Sequence, residues 1–314
     1  MTRVRVATRA SELALAQARL VGALVEAALG VAAEIVPLST TGDRLATAPL
    51  AGLGGKGLFV KEIEEALLDG RADLAVHSAK DLPAEMHPEL ELVAFPERAD
   101  PRDALCARVR GSGLDALPRG ARVGTGSLRR TAQLRLARPD LEVVPLRGNV
   151  PTRLRKLEAE GLDAVVLACA GLERLELASR IDERIPPERM LPAVAQGALA
   201  VQARRGDPIG RDAAALDHAA TAARVRAERA CLSELGADCF VPLAALAEPA
   251  GAGLRLRALL ASTDGAKVVR AQGEAGVAAA AQLGRGVAER LLAAGGRDLL
   301  AALRSAGAPA PGPA

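Results

Sequence analysis

The sequence predicts an α/β protein of two lobes followed by a smaller α+β segment, and three patterns carry that expectation. Strand-like and helix-like runs alternate from residue 4 onward, the alternation restarts after Asp100-Pro-Arg-Asp, and a hairpin-plus-helix pattern follows a Pro/Gly-rich crossover. In the first lobe Val4–Thr8 reads as a strand, Ser11–Ala28 as a helix, Glu34–Thr40 as a strand, Lys61–Leu68 as a helix and Ala72–His77 as a strand. Strands alternating with helices predict a largely parallel sheet. The second lobe carries strands at Ala104–Ala107, near Val123, near Val143 and at Ala164–Leu167. Asp163-Ala-Val-Val-Leu-Ala-Cys-Ala-Gly reads as a buried strand entering a glycine turn, which places Cys169 in the core. Ile185-Pro-Pro-Glu-Arg-Met-Leu-Pro-Ala-Val-Ala-Gln-Gly is the crossover. An Ala-rich helix over Asp217–Leu235 leads to Leu254–Ala261 and Lys267–Gln272, which flank Thr-Asp-Gly as a hairpin. Helices near Val277–Ala293 and Arg297–Arg304 follow, then a frayed Pro/Gly/Ala tail.

At 314 residues, half apolar and a quarter charged, the chain is globular and long enough for two or three domains. With three Phe and no Tyr or Trp it lacks platforms for stacking nucleic-acid bases. The net charge is +3, yet residues 102–192 hold 17 basic and 12 acidic side chains. A local excess of that size suits a small anion better than a DNA backbone. No secretory h-region or membrane-length apolar run stands out, so the reading is a soluble, cytoplasmic protein without a membrane partner. Cys106, Cys169, Cys231 and Cys239 show neither C-x-x-C nor Cys/His spacing, and no metal is expected.

Arginines near helix starts point to the chemistry. Arg129 and Arg130 sit in Gly124-Thr-Gly-Ser-Leu-Arg-Arg, with Ser127 just before them, and Arg147 and Arg153 in Leu146-Arg-Gly-Asn-Val-Pro-Thr-Arg. Each segment follows an apolar run, so free N–H groups and guanidinium forks should converge as a cradle for carboxylates or phosphates. Composition offers a rival account, since five of 41 basic residues are Lys and arginine is simply common here. Three of those lysines fall between residues 56 and 80, two of them in Gly54-Gly-Lys-Gly-Leu-Phe-Val-Lys, which is not a phosphate-binding P-loop. Asp81 follows Lys80 just past a buried strand, at the end of an open α/β sheet where ligands bind. It either pairs with an arginine or serves a cationic, N–H-bearing centre. His77 reads as a strand-end hydrogen-bonding residue. Cys239 lies in a turn, Leu235-Gly-Ala-Asp-Cys-Phe-Val-Pro, where a sulfur can be exposed.

Taken in order, Ala7-Thr-Arg-Ala-Ser-Glu-Leu-Ala-Leu, Thr41-Gly-Asp, the Gly54 loop, Ala75-Val-His-Ser-Ala-Lys-Asp-Leu-Pro, the two arginine motifs, Leu191-Pro-Ala-Val-Ala-Gln-Gly-Ala and the Cys239 turn resemble the porphobilinogen deaminase (hydroxymethylbilane synthase) family over nearly the whole chain. The resemblance implies a transferase of tetrapyrrole and heme biosynthesis that joins four porphobilinogen molecules head to tail and releases ammonia. It also implies a dipyrromethane cofactor, one per chain, bound through a thioether to Cys239. The implied fold is a clamp of two periplasmic-binding-protein-like α/β domains, 1–98 with 197–216 and 102–192, plus an α+β domain over 219–314. Asp81 matches the catalytic aspartate, which would stabilise the positive charge of the azafulvene left by ammonia. Ser11, Lys80, Ser127, Arg129, Arg130 and Arg147 match cofactor-binding positions, and Arg9, Phe59, Arg153, Arg174 and Gln196 substrate-binding ones.

The chain departs from the family pattern at Gly52, where relatives carry lysine, at Ala195, where glycine is common, at Gly126, where serine is common, and at Asp238 beside Cys239. A monomer with transient contact to uroporphyrinogen III synthase is the implied assembly. A non-enzymatic anion-binding protein of the periplasmic type is the rival reading, and the third segment holding Cys239 weighs against it.

Overall fold

The computed structural model describes residues 3–40, 60–237 and 241–307. The first sheet gathers β1 (Arg3–Arg9), β2 (Ala32–Leu38), β3 (Leu74–Ser78), β4 (Leu90–Ala94) and the distant β10 (Leu199–Arg204) in the order β2-β1-β3-β10-β4. Helix α1 (Glu12–Leu29) starts where the Ser11 hydroxyl accepts from the Ala14 N–H at 3.4 Å, and ends at Gly30 with φ 66°. Its buried residues Ala14, Ala18, Val21 and Val25 recur at three- and four-residue spacing, so one face packs on the sheet. Helix α2 (Lys61–Leu68) lies where the sequence predicts it.

The sheet is largely parallel, as expected, with one strand reversed. β1 runs parallel to β2 and β3, whereas β10 runs antiparallel to β3 and β4. The cause is the crossover: the chain returns beside the carboxyl end of β3, pairing Leu199 with Ser78, and can only run back down the sheet.

The second sheet repeats the design. β5 (Asp103–Ala107), β6 (Arg122–Thr125), β7 (Glu142–Pro145), β8 (Ala164–Ala168) and β9 (Glu183–Ile185) lie in the order β7-β6-β8-β5-β9. Here too four strands share one direction, and β5, entering from the first lobe beside the end of β8, is antiparallel to its neighbours. Helices α3 (Leu128–Ala137), α4 (Val150–Ala159) and α5 (Cys169–Arg174) follow β6, β7 and β8. The glycine turn expected after β8 is helix α5 instead: Gly171 is one of its interior residues, and Cys169 is fully buried.

After α6 (Pro208–Ala213), helix α7 (Ala219–Glu234) leads into an antiparallel sheet of β11 (Leu243–Ala250), β12 (Gly253–Ala261) and β13 (Val268–Gly276), covered by α8 (Ala280–Leu291) and followed by α9 (Arg297–Gly307). β12 and β13 are the predicted hairpin, with Ala261 opposite Val268. β11 is buried on both faces. Leu243, Ala245 and Ala247 join the cluster around α7, while Ala244 and Leu246 pack with Ala132 and Leu191 of the second lobe. Helices α7 and α8 touch closely, since a Cβ on Gly284 would collide with the Ala227 carbonyl.

The two crossover segments meet at a buried carboxylate. Glu228 of α7 accepts from Arg98 Nη1 at 2.7 Å and Nη2 at 3.1 Å, and from the N–H groups of Ala195 (2.6 Å) and Ala247 (2.9 Å). Ala195 is held there at φ 57°, the left-handed region that favours glycine. Next along, Gly197 has φ 86°, and a Cβ would stand 2.6 Å from the Ala99 carbonyl. Among the described residues no helix is long and apolar enough to cross a membrane.

Candidate active site

Both five-stranded sheets aim strand ends at one crevice, where open α/β sheets bind ligands. β3 runs into a 3-10 turn, Ala79–Asp81, which the Ala79 N–H ties to the Ala198 carbonyl at 3.0 Å. The turn presents Lys80 and an exposed Asp81. Facing it, β6 and β7 feed the first turns of α3 and α4, which deliver Arg130 and Arg153 to the same crevice, and Arg174 reaches it from the end of α5. Gln17 and Ser78 complete the wall on the first lobe, with Gln17 Nε2 donating to Ser78 Oγ at 2.9 Å.

Behind the arginines lies Asp103, the first residue of β5 and fully buried. Its carboxylate accepts from Arg129 Nη1 (2.7 Å) and Nη2 (3.2 Å), from Arg130 Nε (2.9 Å) and Nη2 (2.7 Å), and from Gln196 Nε2 (2.9 Å). Burial alone would raise the Asp103 pKa, but the two guanidinium charges outweigh it and hold the group well below the usual range. Gln196 spans the site, since its Oε1 also lies 3.5 Å from Lys80 Nζ. Arg129 Nη1 further donates to the Leu191 carbonyl at 2.7 Å, and its Nε is buried without an acceptor.

The crevice is electrostatically tight. Burial lowers Lys80 to about 8; Asp81 opposes that shift and Arg130 adds to it. Burial, with the nearby Arg130, also brings Arg153 down to about 10, again against the pull of Asp81. Arg174 is lowered to about 10 by burial and donates to the Gly197 carbonyl at 2.7 Å. The charge of Asp81 therefore acts on Lys80 within its own turn and on Arg153 across the crevice.

Of the residues singled out in the sequence, the structure brings Lys80, Arg130, Arg153 and Arg174 together as crevice wall, with Asp81 next to Lys80 and Gln196 behind them. Arg129 does not line that wall; its guanidinium donates to Asp103 and to the Leu191 carbonyl, while Arg130, which also donates to Asp103 and to the Val166 carbonyl, does line it. Ser11 and Ser127 stand at the caps of α1 and α3, Arg9 ends β1, and Arg147 follows β7 close enough for its charge to act on Arg153. Phe59, Gly52, Asp238 and Cys239 lie outside the described residues. Burial pushes the thiols of Cys106, Cys169 and Cys231 up to about 12, which makes them unreactive. His77 is buried, lowered to about 4 by that burial and 2.9 Å from Gln202 Oε1, a structural role as expected. Asp103 was not foreseen. The Asp100-Pro-Arg-Asp motif offers no local sign of two arginines 26 and 27 residues further on.

A two-lobed α/β clamp whose crevice is walled by one lysine and three arginines, with the exposed Asp81 next to the lysine, is a site suited to small polycarboxylates. Residues 4–211 match the family described as "Porphobilinogen deaminase, dipyromethane cofactor binding domain", and residues 222–293 match "Porphobilinogen deaminase, C-terminal domain". The porphobilinogen deaminase of Syntrophotalea carbinolica is 51% identical over 302 residues, 96% of each chain. That of Syntrophus aciditrophicus is 48% identical over 299 residues, covering 95% of this chain and 97% of the relative. Among solved structures, a periplasmic substrate-binding protein of an ABC transporter from Coxiella burnetii is 17% identical with a TM-score of 0.43, over 68% of this chain and 91% of that one.

The chain belongs to the porphobilinogen deaminase family. It is a transferase of tetrapyrrole biosynthesis that joins four porphobilinogen molecules into hydroxymethylbilane with release of ammonia, using a covalently attached dipyrromethane cofactor. The crevice fits that group. A dipyrromethane carries acetate and propionate side chains, and the wall offers Lys80, Arg130, Arg153 and Arg174 as their counter-charges.

Proposed function

We propose that Asp81 is the catalytic residue and that the crevice cations share the carboxylates of cofactor and substrate between them. The observation that carries this reading is the meeting of Lys80, Arg130, Arg153 and Arg174 in one crevice beside the exposed Asp81. When bound, the dipyrromethane supplies the pyrrole carbon from which the chain grows. Asp81 accepts hydrogen bonds from the substrate's pyrrole N–H and offsets the positive charge that develops there as ammonia leaves. Lys80, Arg130 and Arg147, with Ser11 and Ser127, hold the cofactor's carboxylates; Arg9, Arg153 and Arg174, with Phe59 and Gln196, hold those of the substrate and of the growing chain. Arg129 contributes from behind, fixing Arg130 through their shared Asp103.

Cys239 is the attachment residue in this reading. Cys106, Cys169 and Cys231 are buried with raised pKa values, which leaves Cys239 as the candidate thiol. The lobes divide as 1–98 with 197–216, 102–192, and 219–314. The working protein is a cytoplasmic monomer that passes its product to a uroporphyrinogen III synthase. Whole-protein mass tests the core of the proposal. The parent should carry a two-pyrrole excess that Cys239→Ser abolishes and that Cys106→Ser, Cys169→Ser and Cys231→Ser retain. Primer kept by Cys239→Ser would overturn the attachment site.

A further inference from the structure

The turn that bears Asp81 is anchored from the third domain. Arg229, in the middle of α7, donates from Nη2 to the Pro83 carbonyl at 2.8 Å and from Nη1 to the Leu82 carbonyl at 3.5 Å. These are the second and first carbonyls after Asp81. Leu82 is 3% exposed and packs in the same apolar cluster as Ala79, Ala222, Ala227 and Cys231, so the turn is pressed against α7 by side chains as well. At its other end the turn is tied to β10 through the Ala79 N–H and the Ala198 carbonyl, 3.0 Å apart. Asp81 stands between two fixed points, one in its own sheet and one in a different domain.

We infer that Arg229 is a positioning residue that sets the place of the Asp81 carboxylate relative to the crevice; this rests on the reading of Asp81 as the catalytic residue. A planar guanidinium can serve two successive carbonyls in one orientation, which an ammonium on a flexible stem cannot. Burial lowers the Arg229 pKa, and the hydrogen bonds of this desolvated cation go to the Leu82 and Pro83 carbonyls. An arginine kept at that cost fixes geometry rather than neutralising charge. The helix that carries it also gives the fixture a purpose. α7 ends at Glu234, five residues before Cys239 in sequence, so one element both leads to the attachment cysteine and grips the aspartate's turn. Primer attachment and the charge-stabilising carboxylate are thereby referred to a common support, which matters because a 1 Å misplacement costs up to about a hundredfold in rate.

The test uses primed enzyme, with the two-pyrrole mass excess confirmed for each variant. Arg229→Gln should lower kcat about tenfold or more while KM stays within about twofold, and Arg229→Lys should recover part of the loss by serving one carbonyl. In the Asp81→Asn background, Arg229→Gln should cause no further loss, because both changes act on one carboxylate. Full kcat in Arg229→Gln with only a lower Tm would reduce Arg229 to a structural strut and overturn the inference. Additive losses in the double variant, or a rise in KM with unchanged kcat, would overturn it as well. Should Arg229→Gln fail to fold, Arg229→Lys alone carries the decision by the same kcat and KM split. Near-normal turnover of Asp81→Asn would instead sink the catalytic reading of Asp81 and take this inference with it, an outcome distinct from the others.

Discussion

The two five-stranded sheets share a strand order and aim their carboxyl ends at one crevice, yet they furnish opposite chemistry there. The first presents a single turn in which an exposed carboxylate stands beside a lysine whose pKa is about 8. The second presents arginines, two of them 5% exposed and already compensated by the buried Asp103. A compensated, desolvated cation pair is preorganised and changes little on binding; an exposed acid next to a shifted lysine can respond to a charge that appears during reaction. On the proposed roles, the reacting carboxylate belongs to the first lobe and most of the recognising arginines to the second.

Asp103→Asn attacks the recognition side. It leaves two buried guanidinium groups facing each other across an uncharged amide, which should cost about 3–5 kcal/mol of stability. Denaturation of primer-free protein measures it, and primed protein should lose less, since the cofactor brings carboxylates of its own. An unchanged denaturation midpoint would show that the arginines do not need their internal counter-charge.

Asp81→Asn attacks the reacting side and should lower turnover by at least about two orders of magnitude while primer remains attached. Stopped assays on mass-verified holoenzyme check both halves of that expectation. Were the primer lost as well, Asp81 would belong to recognition and the contrast between the lobes would collapse.

Lys80 sharpens the contrast through pH. With a pKa of about 8, it keeps its charge below that pH and sheds it above. One pH unit beyond the pKa about a tenth of the lysines remain charged, so kcat/KM should fall up to about tenfold near pH 9 as a carboxylate contact is lost. Lys80→Arg should move that alkaline limb upward; a limb that stays in place assigns it to another group.

The smallest effect concerns the crossover between the lobes. Ala195→Gly should stabilise the protein by about 1 kcal/mol, because alanine at φ 57° is strained and glycine is not. Part of that gain is offset by the greater freedom of glycine in the unfolded chain. Thermal melts of the two proteins decide it, and a lower midpoint for Ala195→Gly would mean the entropic loss dominates.

Where local pattern determines structure, the sequence was legible. α2 spans the predicted Lys61–Leu68, and the strand ends bearing Asp81, Arg130 and Arg153 lie where apolar runs meet turn signals. What escaped depends on long-range partners. β11, Leu-Ala-Ala-Leu-Ala-Glu-Pro-Ala, has the composition of a helix and becomes a strand because β12 pairs with it and apolar layers cover both its faces. The reversed course of β10 within a largely parallel sheet does not show in the sequence, because its direction follows from where a crossover returns, which no window of residues records. The resemblance named most of the crevice residues, but not Asp103, whose pairing with Arg129 and Arg130 exists only once β5 and α3 are side by side.

The position of β10 also dictates an order of events during synthesis. The strand lies between β3 and β4, so β4, complete at Ala94, has no hydrogen-bonding neighbour in the sheet until Leu199 and the residues after it have been made. At ribosomal rates of about 5–20 residues per second, that wait is about 5–20 s. The second lobe, continuous from β5 to β9, can close within that interval. A released chain that stops before Leu199 should therefore protect the second lobe from protease while β4 is still cut, so that the domain nearer the start of the chain is the later one to be finished.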